Sequence, residues 1–296
     1  MDSNIRLQVF KFLEEQVKIY DNVLPFHILS DGFYFKGQRV PLLGPQGIWK
    51  PAVMDQYPIS ITSIPEGPYD DTFSDDSTLH YRYRGTDSNH RDNVGLKMAM
   101  QDQVPLVFFH RIVKGKYLVH WPVYIVGADD ATLTFTVEAD RANAISFEDS
   151  QYLIINHDDT RRKYVTYEMK RRLHQQSFRE KVLLAYHEHC ALCRLKHREL
   201  LDAAHIIPDS EGGKPIVPNG LALCKIHHAA FDQNIIGITP DYIVKIRKDV
   251  LHEIDGPMLK HGLQEFENQK IIIPRGNNRP DRELLAQRYE RFLKTG

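Results

Sequence analysis

The spacing of four residues constrains this chain most. Cys190 and Cys193 form C-x2-C, and after a gap of thirty residues Cys224 and His227 form C-x2-H. Two knuckles with matching gaps bring four soft ligands into tetrahedral reach of one zinc ion, and no fifth ligand is needed. A closed three-Cys, one-His site of this kind is structural: it ties together two segments distant in sequence. The competing reading is three buried cysteines and a surface histidine, and the repeated two-residue gap argues against it.

The stretch between the knuckles predicts a strand, a loop, a strand and a helix. "ELLDAAHIIP" reads as a strand ending in a turn at Pro208, "DSEGGKPIVPNG" as a polar loop, "LALC" as a second strand and "KIHHAAFD" as a helix start. This puts His205 at a strand end, Asn219 in the loop and His228 on the helix. If His227 faces zinc, His228 points about 100° around the helix and is free for other work.

From about Cys190 to Ile238 this segment resembles the HNH nuclease family, with its ββα-metal fold. The resemblance rests on the knuckles, "AAHIIP", "NGLALC" and the following "HH", in that order. It implies that His205 is the general base that activates water. His228 would bind a catalytic divalent ion such as Mg²⁺ or Mn²⁺, and Asn219 would bind that ion or hold the loop framing it. Many relatives carry a metal ligand immediately before the base, where this chain has Ala204. Asp202, on the same strand face, and Asp232 are the candidate replacements, with loop bracing the alternative for each. His197 fits no role in the motif and reads as a surface residue.

At 296 residues the chain predicts two domains. Its formal net charge of −1 advertises no polyanion partner globally, so a nucleic-acid site has to be a local patch. Three cysteines argue against a secreted disulfide framework. The N-terminus does not read as a signal peptide, and no apolar run approaches a membrane span. These features predict a soluble, cytoplasmic protein.

Residues 3–20 predict an amphipathic helix capped by Ser3, with Ile5, Val9, Phe12, Leu13 and Val17 inward. From about residue 24 to 140, short β-rich runs such as "YPISITSI", "VPLVFFHRI" and "KYLVHWPVYIV" are interrupted by one helical piece, "DNVGLKMAMQD". That texture predicts a mostly β, barrel-like domain. Residues 158–189 predict a basic helix. Tyr164, Tyr167, Leu173, Phe178, Val182 and Leu183 form its inward side. Arg161, Arg162, Lys163, Lys170, Arg171, Arg172, Arg179 and Lys181 form its outward side. The stretch reads as a solvated face or as a contact to phosphate. A closing helix has Pro280 near its first turn and Leu284, Leu285, Tyr289 and Phe292 inward.

The alternating Tyr81-Arg82-Tyr83-Arg84 gives a strand one aromatic and one basic face. It suits stacking on a base while touching phosphate, or it is an ordinary edge strand with Tyr81 and Tyr83 in the core. Residues 30–140 also resemble the SRA (YDG) domain, a PUA-like β-barrel that flips a modified cytosine out of DNA. That resemblance rests on the tyrosine–acidic turn "PYDD", the strand "YRG" and the "NVGL" helix. It implies a base pocket of Tyr69, Asp70, Asp71 and Tyr83. The basic strand face and the basic helix, read from their charge, give Arg84, Arg171 and Arg172 as candidate DNA-backbone contacts. Trp49 and Lys50 are further candidates for DNA contact.

The fold expected is α+β: an SRA-like domain at 1–155, a basic helical linker at 156–184 and a zinc-stabilised HNH domain at 185–296. The pairing resembles McrA-like, type IV modification-dependent restriction endonucleases. It implies double-stranded DNA carrying 5-methylcytosine or 5-hydroxymethylcytosine as substrate. A homodimer fits a double-strand break, because one HNH site cuts one strand. Two other readings compete. The first domain could read another modification, as an EVE-like or phosphorothioate module, or clamp DNA non-specifically. Alternatively the chain is a non-catalytic, zinc-stabilised DNA-binding protein, which Ala204 favours and the intact His205, Asn219 and His228 oppose.

Overall fold

The computed structural model describes residues 2–64, 78–142, 145–148, 151–154 and 158–295. The turn carrying Tyr69, Asp70 and Asp71 lies outside the described residues. The chain forms two compact units, Met1–Leu173 and His174–Gly296.

The first unit opens with α1 (Asp2–Tyr20), whose Ile5, Val9 and Leu13 are fully buried as their spacing predicts. Arg6 is buried beside them, and its guanidinium donates to the carbonyls of Pro105 and Pro58 at 2.6 and 3.1 Å. The next elements are β1 (Val23–Pro25), α2 (Phe26–Asp31) and a small hairpin of β2 (Phe33–Phe35) and β3 (Gln38–Val40). The main sheet follows: β4 (Ile48–Trp49), β5 (Ser60–Ser63), β6 (Leu79–Arg82), β7 (Leu106–Val113), β8 (Lys116–Asp129) and β9 (Thr134–Ala139), with α3 (Arg91–Gln101) between β6 and β7. Its strand order is β4-β5-β7-β8-β9-β6, and β1 also pairs with β8. The β5–β7 ladder is parallel and the others are antiparallel.

The expected barrel is found as a curled sheet. Among the described residues no ladder joins β4 to β6. Tyr81 on β6 nevertheless reaches across, its hydroxyl donating to the Thr62 carbonyl on β5 at 3.3 Å. The hairpin of β10 (Ile145–Glu148) and β11 (Gln151–Ile154) precedes a helix of 27 residues, α4 (Asp159–Ala185).

Helix α4 occupies the predicted basic stretch, but its first turns are rotated from the expected phase. Tyr164 and Tyr167 are 53% and 54% exposed, while Val165 and Met169 are buried. Arg162 does not face out. It is fully buried, its Nε 3.3 Å from Asp140, with its guanidinium 3.9 Å from the Tyr124 ring centroid. Asp140 also takes a two-pronged bond from Arg161 at 2.8 and 2.9 Å. A buried carboxylate facing two guanidiniums sets the helix phase more strongly than two amphipathic tyrosines do. The unit boundary falls within α4. Val165, Met169 and Leu173 join one core of the first unit, and Phe178, Val182 and Leu183 join the core of the second.

In the second unit, β12 (Leu201–His205) pairs antiparallel with β13 (Gly220–Cys224), and α5 (Lys225–Asp232) follows at once. A second hairpin, β14 (Ile236–Ile238) and β15 (Val244–Ile246), leads into α6 (Lys248–His252) and α7 (Pro257–Gly262). The closing helix α8 (Arg282–Leu293) is capped by Asp281, which accepts from the backbone N–H groups of Glu283 and Leu284. Leu285 and Phe292 point inward as expected, joined by Arg288, which donates to the Phe231 carbonyl at 2.6 Å. No helix among the described residues is long and apolar enough to cross a membrane.

Candidate active site and metal centre

The two knuckles converge. The ligand atoms of Cys190, Cys193, Cys224 and His227 all lie within 4.8 Å of one another. Cys193 Sγ is 3.9 Å from Cys224 Sγ, and His227 Nδ1 is 3.4 and 3.2 Å from the sulfurs of Cys190 and Cys224. A tetrahedral zinc sets its sulfurs about 3.8 Å apart and a sulfur about 3.5 Å from an imidazole nitrogen. The donor set and its spacing therefore fit zinc.

Local structure holds these ligands. Arg194, at φ 62°, turns the first knuckle so that its N–H reaches the Cys190 carbonyl. The Ala191 N–H donates to the Ala222 carbonyl, fixing that knuckle to β13. His227 Nε2–H donates to the Gly262 carbonyl at 2.8 Å, which leaves Nδ1 as the ligand atom. The Phe266 and His227 rings also pack in a T-shaped arrangement, at 5.1 Å between centroids. Neither outer contact was legible in the sequence, because both come from a segment more than thirty residues downstream.

His205 ends β12 opposite Gly220. Its imidazole is half-buried and stacks on Phe178 of α4, centroids 4.0 Å apart. Gly220 makes room for this contact. A Cβ there would meet Val182 Cγ2 at 2.5 Å and Phe178 Cζ at 2.9 Å. Burial is the main cause that lowers the His205 pKa. The nearby His228 acts in the same direction, while Asp209 and Asp232 oppose it. A neutral imidazole is the form that accepts a proton.

His228, one position after His227, lies between two carboxylates. Its Nδ1 is 3.6 Å from Asp202 Oδ2 and its Nε2 is 3.3 Å from Asp232 Oδ2. Asp202 comes from β12 and Asp232 from the last turn of α5, so strand and helix each carry one acid to the same imidazole. Ala204, at the position where many relatives have a ligand, is fully buried. On its other side, Asp202 Oδ1 is 3.8 Å from Arg179 Nε. Arg179 is itself anchored by the carbonyls of Leu201 and Arg198, at 2.8 and 3.2 Å. Oxygen and imidazole donors together suit a hard divalent cation.

Asn219 is fully buried. Its Oδ1 accepts from the Ile207 N–H at 2.9 Å, and its Nδ2 donates to the carbonyls of Ile207 and Lys214, both at 3.0 Å. Its side chain closes the loop that follows His205.

Residues 190–239 match a family model described as HNH endonuclease. The ββα segment is of the HNH type. Among solved structures, the chain is similar to a "Modification dependent TagI restriction endonuclease". Identity is 14%, coverage is 80% of this chain and 82% of that one, and the TM-score is 0.33. It is also similar to "the Type IV phosphorothioation-dependent restriction endonuclease ScoMcrA", at 14% identity, 80% and 57% coverage and TM-score 0.21. No curated protein matches the chain.

Of the four residues expected around a base, only Tyr83 lies among the described residues. Tyr83 is 1% exposed. Its ring stacks on Phe135 at 4.2 Å, and its hydroxyl donates to Asp130 Oδ1 at 2.7 Å. Burial, then the Asp130 bond, pushes its pKa far up. Tyr81 is also core, at 5% exposure, and among the described residues β6 is an edge strand. This is the alternative the sequence left open. Arg84 is occupied by Asp92. Lys50 donates to the carbonyls of Met54 and Asp55 at 3.2 and 2.8 Å, and Trp49 Nε1 to that of Pro41 at 2.9 Å. Arg171 and Arg172 are exposed on α4.

Proposed function

We propose that the chain is a metal-dependent endodeoxyribonuclease whose HNH site hydrolyses one DNA strand per turnover. The observation that carries this reading is the placement of a half-buried His205 on the same ββα scaffold as the Asp202–His228–Asp232 cluster. His205 takes the proton from the attacking water. A divalent ion such as Mg²⁺ or Mn²⁺, held by His228 with Asp202 on its Nδ1 side, would neutralise charge on the scissile phosphate and the leaving oxygen. Asn219 braces the loop between them. Zn²⁺ at Cys190, Cys193, Cys224 and His227 holds the scaffold together.

The first unit is the candidate reader of a modified base, 5-methylcytosine or 5-hydroxymethylcytosine. Support for this comes from the SRA-like sequence pattern, with Arg171 and Arg172 as backbone contacts. Plasmid nicking tests the nuclease reading. Wild-type protein should nick with added Mg²⁺ or Mn²⁺ and stop when a chelator removes it. His205→Ala should bind DNA and leave it intact. Metal-independent nicking, or nicking by His205→Ala, would overturn the assignment.

A further inference from the structure

The second unit carries an open groove of about 750 Å³ whose walls include Lys181, Leu184, His187, Val217 and Arg275. Lys181 and Leu184 belong to α4, Val217 to the turn before β13, and Arg275 to the segment leading into α8. Among the described residues that line the groove, none is acidic. Lys181, His187 and Arg275 are exposed, and among the described residues neither Lys181 nor Arg275 has a carboxylate partner. Other cations of this unit are paired: Arg198 with Glu180 and Glu188, Lys245 with Glu267, Arg247 with Asp249 and Arg291 with Glu211. The groove thus gathers cations whose charge the fold leaves uncompensated, and an anion is the complementary ligand.

The rest of the lining narrows which anion. Leu184 is 58% exposed and Val217 is half-buried. A small free ion would leave this apolar surface in water, whereas a nucleic-acid strand alternates sugars with phosphates and covers both kinds of wall. Helix α4 ends at Ala185, and free carbonyls at a helix C-terminus repel an anion. Here the carbonyls of Val182, Leu183 and Leu184 are taken by the N–H groups of Tyr186, Glu188 and His187. The groove also shares two of its walls with the support of the base. Phe178 of α4 stacks on His205, Val182 packs against Gly220 opposite His205, and Val217 stands three residues before Gly220.

We propose that this groove holds the sugar–phosphate backbone of the DNA substrate, with Lys181 and Arg275 each neutralising a phosphate and Leu184 lying against the sugars. His187 donates a ring N–H to the same strand. The proposal rests on DNA being the substrate, and it gives α4 a second task besides shielding His205.

The test uses the full chain carrying His205→Ala and a fluorescein-labelled plain duplex, with anisotropy titrations repeated over a series of salt concentrations. Lys181→Gln with Arg275→Gln should lower the slope of log affinity against log salt by about 1.8, from 0.9 for each phosphate no longer neutralised. Lys181→Arg should keep the parent slope, because it keeps the charge. Lys260→Gln, an exposed lysine of the same unit outside the groove, should also keep it. Leu184→Glu should bind about fivefold more weakly than Leu184→Gln, which has nearly the same shape without the charge. All these side chains are exposed, and a thermal transition within the error of the parent's shows that each variant is folded. An unchanged slope in the double variant, an equal loss in Lys260→Gln, or equal binding by Leu184→Glu and Leu184→Gln would overturn the proposal. Plasmid nicking by the chain with His205 intact reads the nuclease separately. Nicking with an unchanged slope removes the groove alone, and a lowered slope without nicking removes the nuclease alone.

Discussion

The Phe178 ring lies nearly flat against the His205 imidazole, with 18° between their planes. Phe178 shields one face of the base from water, and desolvation disfavours the charged form of a histidine. The sign of the pH effect follows. The protonated ring cannot act as a base, and burial lowers its pKa from 6.5. The acid limb of the cleavage profile should therefore lie below that of a solvated histidine. Phe178→Ala admits water, so the limb should move up towards about 6.5. The profile of kcat/KM between about pH 5 and 8 checks this. A limb that stays in place would show that Phe178 is not what keeps His205 neutral.

Asp202 touches both Arg179 and His228. On the proposed reading, Asp202 takes over from the ligand that many HNH relatives carry at the position of Ala204. Asp202→Asn removes the charge and keeps the shape. The Mg²⁺ or Mn²⁺ concentration for half-maximal nicking should rise about tenfold, the effect of about 1.4 kcal/mol on an equilibrium. His228→Ala should lose nicking at any metal concentration. An unchanged metal requirement in Asp202→Asn would return Asp202 to a bracing role and leave Asp232 as the remaining carboxylate.

The parts of this molecule that the sequence made legible are those whose partners are close in the chain or share a fixed spacing. C-x2-C and C-x2-H specify ligand geometry over two or three residues, so the Cys₃His cluster could be read directly. His205 and His228 were readable from their order along one ββα unit. The contacts that tune the site were not. Phe178 lies 27 positions before His205, and nothing in "QQSFREK" marks its ring as a platform for an imidazole. Gly220 was the available signal, a small residue facing the base that marks a close approach. The phase of α4 was misread for the same reason. Asp140 buries Arg162 across 22 positions, an ion pair that no local pattern of apolar residues reveals.

The proposed zinc centre makes a thermodynamic prediction. Its ligands join the first knuckle to the start of α5, and the core around them includes Ala191, Leu192 and Phe231. Binding free energy at such a site is folding free energy. Purified protein should carry about one Zn²⁺ per chain by elemental analysis. Cys224→Ser should cost the second unit its cooperative unfolding transition, and strong chelation should do the same to the wild type. A metal-free preparation that kept its thermal transition and its nicking activity would remove zinc from the structural role.

The reader is best tested with the full chain carrying His205→Ala, which binds DNA without consuming it. Extruding a base from duplex DNA costs a few kcal/mol of stacking and pairing, and a pocket must recover that by its own contacts. A methyl group that enters an apolar niche adds only about 1 kcal/mol. Preference for 5-methylcytosine over cytosine should therefore be modest, about tenfold or less. A hydroxymethyl group that finds a hydrogen-bonding partner should be preferred more strongly, because a polar site discriminates by what it leaves unpaired. Arg171→Gln with Arg172→Gln should weaken binding to modified and plain duplexes alike and reduce its salt dependence, since both guanidiniums are exposed and read only charge. Tyr83→Phe separates a core tyrosine from a pocket tyrosine. It removes the bond to Asp130 and should lower thermal stability by about 1 kcal/mol. As a core residue, Tyr83 should leave the ratio of modified to plain binding unchanged in that variant. A ratio that falls in Tyr83→Phe would put this side chain at the base after all, and equal binding of all duplexes by the parent chain would remove the modified-base reader.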